Sequence, residues 1–380
     1  MNIQDSAAQA SPSPDKGGSG ASQGSAAASV RATVSVHIVT YNSVDDIEGC
    51  LACVRAQSYP IQRIVVLDNA SGDGTPELLG RIGEGLDVVL SSENTGFAGG
   101  QNRALARSDA DYALVLNPDV RLHPDYVRRL VEELERRPEA GSAAGMLVRQ
   151  PAAGLGGAGS TKTDEQNADA ARRKGQEPGS GASEASPLEV RAWLDRLPAE
   201  ALIDSTGLTM DAARQARDRG AGEPASAWLE AGETFGVSGA AAMYRRSMIR
   251  HASLGGEFFD ETFFAYKEDV DVAWRARQLG WSALYAPDAR ALHARGWKEG
   301  GRSSVSAFVR RHSYQNRFYT LVKNERGWKR LPGIAAIEIV KLGYILLKER
   351  DLLGCWPEIL RRLPEMRAKR RELRSLPVRE

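Results

Sequence analysis

Short apolar runs and helical periodicities alternate along the first third of the chain. Val34-Ser35-Val36-His37-Ile38-Val39 is rich in β-branched residues and predicts a strand, which the polar turn Thr40-Tyr41-Asn42-Ser43 ends. Over 45–56, Ile47, Leu51 and Val54 recur on one face, the pattern of a helix. Ile64-Val65-Val66-Leu67 is a continuous apolar run and predicts a strand covered on both faces. It stops at the turn-rich loop 68–75. A helix over 76–82, a strand over 87–91 and a helix over 100–106 follow, and Tyr112-Ala113-Leu114-Val115-Leu116 forms a further buried strand ending at Asn117-Pro118-Asp119. Strands alternating with helices predict a parallel sheet with crossover helices.

Beyond 150 the pattern changes. Residues 151–186 hold Gly, Ala, Ser and charge with few large apolar side chains, and read as a flexible insertion in a domain spanning 32–300. A helix over 187–196 and a segment over 203–207 resume order. Residues 235–300 form a second packed region, with a strand over 281–286. Residues 305–376 read as helical, with breaks at Pro332, Pro357 and Pro364. Residues 1–31 lack any apolar core of a signal peptide and predict a disordered tail. No apolar run is long enough to span a membrane, since Glu338 and Lys341 interrupt 331–347.

The net charge of +1 conceals an asymmetry. Residues 302–380 carry 19 Lys and Arg against 8 Asp and Glu, and the rest carries 31 against 41. A basic helical region over 301–380 therefore follows a mildly acidic body, which suggests contact with an anionic membrane surface; no nucleic-acid partner is expected. Three cysteines, Cys50, Cys53 and Cys355, suit a reducing compartment, and the first two read as small apolar residues of the first helix rather than zinc ligands.

The unusual polar residues gather where an open α/β sheet binds its ligands, at the carboxyl ends of strands: 40–42, 68–75 and 117–119. Asn94-Thr95-Gly96-Phe97-Ala98-Gly99-Gly100-Gln101-Asn102 is glycine-rich and leads into a helix, so its backbone can approach a ligand closely. Later, Glu268, Asp269 and Asp271 place three carboxylates among Phe263, Phe264, Tyr266 and Trp274. One carboxylate there can act as a general base, with the aromatic side chains walling a sugar pocket. Asp119 and His293 together could hold a hard or borderline cation.

The segments VSVHIVTYNS, IVVLDNASGDGT, ENTGFAGGQNRAL, ADYALVLNPDV, GVSGAAAMYRRSM, FFDETFFAYKEDVDVAWRARQLGW and ALHARG together resemble family 2 glycosyltransferases, in order over about 34–149 and 201–300. The nearest branch looks like bacterial rhamnosyltransferases acting on cell-surface polysaccharides. The resemblance implies a GT-A fold, a Rossmann-like nucleotide-binding sheet merged with an acceptor-binding half, here with a C-terminal helical region. It implies that Thr40, Tyr41 and Asn42 line the nucleotide pocket, that Asp68 bonds the base with Asn69 beside it, and that Asn94, Gly96, Phe97 and Asn102 sit against the nucleotide-sugar. Asn117-Pro118-Asp119 aligns with the D-x-D metal motif with Asn117 in place of its first Asp, so Asp119 and His293 would be the ligands of Mg²⁺ or Mn²⁺. Asp269, within Glu268-Asp269, matches the catalytic base. No role is assigned to 204–207 or 217–220.

The implied reaction is inverting transfer of a sugar, with dTDP-L-rhamnose the expected donor and a glycan or polyprenyl-linked molecule the acceptor. The expected location is the cytoplasm, at the inner face of the cell membrane. A sugar nucleotidyltransferase would want a Gly- and Lys/Arg-rich loop near the first strand, and VTYNSVDD has none. A non-catalytic nucleotide-sugar-binding protein is the other alternative; Asn117 favours it and Glu268-Asp269 opposes it.

Overall fold

The apolar runs at the front of the chain become a parallel layer. In the computed structural model, which describes residues 31–151, 155, 185–294 and 305–380, β1 (Val34–Thr40) is followed by α1 (Ile47–Arg55), β2 (Arg63–Asp68), α2 (Thr75–Ile82), β3 (Asp87–Leu90), α3 (Gly96–Leu105) and β4 (Tyr112–Leu116). These strands lie parallel in the order β3-β2-β1-β4. All five residues of β4 are buried, and each Val or Leu so covered contributes roughly 1.5–3 kcal/mol. The tail expected over 1–31 lies outside the described residues except for Arg31, as does most of the insertion expected over 151–186.

The second half of the sheet is mixed. Beyond β4 come β5 (Val120–Leu122), α4 (Tyr126–Arg136), β6 (Ala140–Arg149) and α5 (Pro187–Arg196), then the short strands β7 (Ile203–Ser205), β8 (Leu208–Met210), β9 (Ala216–Asp218) and β10 (Gly232–Thr234). After them β11 (Ala241–Arg245), α6 (Arg246–Ala252), α7 (Glu268–Gln278) and β12 (Ser282–His293) complete the body. Among the described residues the main sheet has ten strands, and its path continues β4-β11-β6-β12-β10, with β5 joined to β12 and β7 to β6. β11 runs antiparallel to both of its neighbours.

The strand expected over 281–286 is twice as long as read. Its pairing with β6 breaks between Ala286 and Arg290 and then resumes to His293. At the break the Ala289 carbonyl oxygen would lie 2.0 Å from a Cβ on Gly145, so β6 tolerates only glycine there. The resumed strand pairs His293 with Val120 of β5, and this brings the imidazole beside Asp119.

Three helices close the chain: α8 (Ala307–Asn324), α9 (Leu331–Lys348) and α10 (Trp356–Ser375). Pro332 and Pro357 stand at helix starts, where a missing N–H costs nothing. The break expected at Pro364 does not occur, and α10 runs through it. The ring removes one hydrogen bond to the carbonyl of Leu360, a residue more than half exposed. α8 and α10 pack on each other and share a core of Tyr314, Tyr319, Ile359 and Met366 with Phe263. Ala32–Glu380 form one unit.

Candidate active site

The ends of β1 and β2 are bound together by side-chain hydrogen bonds. Thr40 Oγ1 donates to Asp68 Oδ1 at 3.0 Å, and the Ser71 hydroxyl donates to the same oxygen at 2.5 Å. The Ser71 N–H donates to Asp68 Oδ2 at 3.0 Å. Asn42 has φ +51° and accepts from the Gly72 N–H at 2.9 Å, while its own N–H donates to Ser71 Oγ at 2.8 Å. Tyr41 is exposed at the rim. Asp73 accepts from Thr75 and Val44, which ties the loop to the start of α2 and holds the Asp73 carboxyl below the usual range despite some burial.

The glycine-rich segment is helical from Gly96 rather than from Gly100. A Cβ on Gly96, φ +73°, would lie 2.3 Å from the Phe264 carbonyl oxygen, and that oxygen accepts from the Ala98 N–H. Asn69 and Asn102, expected against the nucleotide-sugar, are committed within the protein. Asn69 Nδ2 donates to Asn94 Oδ1 at 3.0 Å and to the Gly96 carbonyl at 2.9 Å, and its oxygen accepts from the Thr95 N–H. Asn102 bonds both backbone groups of Phe259 and the Glu261 carboxylate. Both act by holding the segment in place. Phe97 stacks edge-on to Phe259 and reaches the cleft.

A cleft of about 510 Å³ opens at the carboxyl end of β4, lined on one side by Asn117, Asp119 and His293 and on the other by Tyr266, Glu268 and Asp269. His293 Nε2 lies 3.3 Å from Asp119 Oδ1, and its Nδ1 lies 2.7 Å from Asp204 Oδ2. Burial alone would lower the imidazole pKa, but the hydrogen bonds and charges of the two carboxylates prevail and raise it to about 9. Asp204 thus acquires a role that its sequence context did not assign: it orients the ring so that Nε2 faces the cleft. The donor set of one carboxylate and one oriented imidazole fits a Mg²⁺ or Mn²⁺ ion that takes its remaining ligands from phosphate oxygens and water. Among the described residues no group of three or more His, Cys, Asp or Glu forms a protein-only metal site.

The three carboxylates of the acidic stretch divide. Glu268 and Asp269 face the cleft, whereas Asp271 is fully buried behind it. Asp271 binds Arg275 at 2.9 Å, Lys323 at 2.8 Å and Asn324 Nδ2 at 2.7 Å. Lys323 also pairs with Asp260, which Lys369 contacts at 2.6 Å. Asp269 accepts from the Gly239 N–H at 3.2 Å, which aims its carboxylate across the cleft. Glu268 Oε2 has no hydrogen-bond partner among the described residues. Burial and the Asp269 charge raise the Glu268 carboxyl to about 8, so it is neutral near pH 7.

Before α7 the backbone is strained. Phe264, Tyr266 and Lys267 have φ of +61°, +71° and +68°, values that cost side-chain-bearing residues of order 1–3 kcal/mol each. Asn316 of α8 holds this turn, its Nδ2 lying 2.8–2.9 Å from the carbonyls of Phe263, Ala265 and Tyr266. The aromatic wall expected around the carboxylates is mostly elsewhere. Phe263 packs on Tyr319, Phe264 on Phe308 and His312, and Trp274 under the Arg214 guanidinium, leaving Tyr266 and Phe97 at the cleft. Lys267, Asn316 and Lys323 were not singled out in the sequence; the lone signal was Lys267 beside Glu268.

Residues 35–177 match the model of the family described as Glycosyl transferase family 2. An N-acetylglucosaminyl-diphospho-decaprenol L-rhamnosyltransferase of Mycobacterium tuberculosis (strain CDC 1551 / Oshkosh) is 28% identical over 305 residues, covering 77% of this chain and 85% of that protein. A putative teichuronic acid biosynthesis glycosyltransferase of Bacillus subtilis (strain 168) is 34% identical over 115 residues, 30% of this chain and 46% of that protein. The solved structure of GalNAc-T7 with UDP, GalNAc and Mn²⁺ aligns with a TM-score of 0.50 at 12% identity, over 77% of this chain; the chain spans about half of that protein, 48%. That likeness is one of fold, and the fold is GT-A.

Proposed function

We propose that this chain, whose residues 35–177 belong to glycosyl transferase family 2, moves a hexosyl group, L-rhamnosyl from dTDP-L-rhamnose, onto a hydroxyl of a glycan or lipid-linked acceptor with inversion. The observation that carries it is the placement of the Asp269 carboxylate across one cleft from Asp119 and His293, fixed by the Gly239 N–H. Thr40, Tyr41, Asn42 and Asp68 form the nucleotide end, and Asp68 keeps lone-pair capacity for a base N–H beyond the three hydrogen bonds it already accepts. Asn94, Gly96, Phe97 and Asn117 border the sugar, with Asn69 and Asn102 holding the segment.

Asp269 takes the proton from the acceptor hydroxyl as that oxygen attacks the anomeric carbon. The bond from that carbon to the diphosphate breaks on the opposite face, and the electron pair leaves with the diphosphate. Glu268, neutral beside Asp269, keeps a second negative charge out of the pair. Asp119 and His293 would hold a divalent cation, which supplies positive charge for the leaving diphosphate. Metal ligation requires a neutral imidazole, so the cation would take the place of the proton that Asp119 and Asp204 now favour on His293. The acceptor type and the site of action at the inner face of the membrane draw on the printed name of the mycobacterial relative and on the apolar surface of α9. No helix is long and apolar enough to cross a membrane among the described residues.

The test is release of nucleoside diphosphate from a panel of nucleotide-sugars, with Mg²⁺, Mn²⁺ or EDTA, for the wild type and Asp269→Asn. Metal-dependent release from dTDP-L-rhamnose that the variant loses is the expected result. Release from another donor alone would overturn the rhamnosyl assignment, and an unaltered Asp269→Asn enzyme would overturn the base.

A further inference from the structure

A second cavity, of about 580 Å³, lies against the cleft and shares Lys267, Val309 and Ser313 with it. Its volume is that of a small-molecule site. Four cations line it, Lys267, Arg310, Arg317 and Lys341, and no carboxylate does. From outside the lining, Arg317 and Lys341 share Glu338, and Arg310 lies 3.8 Å from Glu349 and 3.4 Å from Asp351, so three carboxylates stand behind the four cations. Burial, and then the Arg317 charge, lower Lys341 to about 8 despite Glu338 beside it.

The outer wall of this cavity is α9, and α9 has too little to pack against. Of its eighteen residues, Ile334 and Ile345 are the buried ones. Ile337, Val340, Tyr344 and Leu347 recur at helical spacing as a stripe about 15 Å long, with Val340 71% and Leu347 76% exposed. Val340 and Tyr344 belong both to the stripe and to the cavity lining. Lys329, Arg330, Lys348 and Arg350 flank the helix, the arrangement of a segment that lies along a lipid surface with its cations at the headgroups.

We propose that this cavity and stripe form one subsite for an acceptor carried on a long-chain lipid diphosphate: the cations take the diphosphate and the stripe carries the hydrocarbon chain. This rests on the function proposed above, in which the acceptor hydroxyl must reach Asp269. Lys267, in both walls and next in sequence to Glu268, would link the diphosphate to the cleft that holds the base. The occupant matches both halves of the surface. Inorganic diphosphate has no use for the stripe, and a neutral lipid has none for the four cations.

Titration calorimetry on the full chain tests this with farnesyl diphosphate, inorganic diphosphate and farnesol, each with and without saturating dTDP or UDP. Farnesyl diphosphate is expected to bind at least about tenfold more tightly than inorganic diphosphate and to stay bound when nucleotide is present. Lys341→Met should weaken it about tenfold while leaving nucleotide affinity unchanged, which also shows that the variant is folded. Val340→Ser with Leu347→Ser, on the exposed stripe, should weaken farnesyl diphosphate and spare inorganic diphosphate. Displacement by nucleotide would put the lipid in the donor cleft and overturn the proposal, as would an affinity indifferent to Lys341 and the stripe, or no binding. Nucleotide binding is read in the same titration, so a failed donor assignment shows there, and the cavity stands or falls on farnesyl diphosphate.

Discussion

The cleft and the cavity beside it share one wall and differ in charge. The cleft mixes Asp119, Asp218, Glu268 and Asp269 with Arg217, Lys267 and His293, whereas the cavity is lined by Lys267, Arg310, Arg317 and Lys341 and by no carboxylate. Each crowding pushes one member toward neutrality. Glu268 rises to about 8 through burial and Asp269, and Lys341 falls to about 8 through burial and Arg317. A site that is frustrated by its own like charges is prepared for a ligand of the other sign: a cation and a proton in the cleft, an anion in the cavity. The cleft would therefore take its diphosphate together with a cation, whereas the cavity takes one on side-chain cations.

Asp269→Asn gives the largest expected effect, a fall in turnover of about 10²–10⁴-fold with nucleotide and farnesyl diphosphate affinity retained. Loss of lipid binding in that variant would break the separation between the two sites. Next comes Lys323→Met, which leaves Asp271 and Asp260 buried with fewer partners. Urea unfolding should show a loss of about 3–5 kcal/mol, and both sites should weaken together because this ion cluster stands behind their common wall. Asn316→Ala releases three carbonyls of the strained turn and should cost about 1–3 kcal/mol, with kcat lowered and nucleotide affinity kept.

The smallest effect per step is a pH slope, at most about 1.4 kcal/mol for each pH unit. In the folded protein Glu268 keeps its proton up to about 8, but in the unfolded chain only up to the ordinary 4.5. Between these values the folded state binds the extra proton, so this group makes the protein less stable as pH rises through the window, with the cost complete above about 8. Glu268→Gln removes the titration. Its stability relative to wild type should climb across that window and level off above it, as read from thermal midpoints at several pH values. A flat difference would mean that the acidic crowding is relieved some other way.

The parallel half was legible because its strands are short runs rich in Val, Ile and Leu and its loops stop them with polar residues. The candidate pair Asp119 and His293 was legible through family resemblance, but Asp204 was not, because its contact with His293 depends on the pairing of β7 with β6 and of β6 with β12. Asn69 and Asn102 carry the chemistry of ligand-binding residues, and their commitment within the protein is visible only once the end of β2 meets 94–96 and α3 is packed on 259–261. Strands such as Ala216–Asp218 are three residues long and carry no periodicity to find. Asp271 looked equivalent to Asp269, and it differs by facing α8, a helix more than 30 residues downstream.

The turn that precedes Glu268 is held by Asn316, and the ion cluster behind it is completed by Lys323 and Lys369. A chain is synthesised from its amino end, so these partners leave the ribosome after every other part of the site. The nascent protein can order its parallel sheet early, but Asp269, the proposed base, has no fixed position until the last helices dock. Catalytic competence is thereby tied to completion of the polypeptide through residue 369, and a prematurely terminated chain would hold nucleotide without spending it.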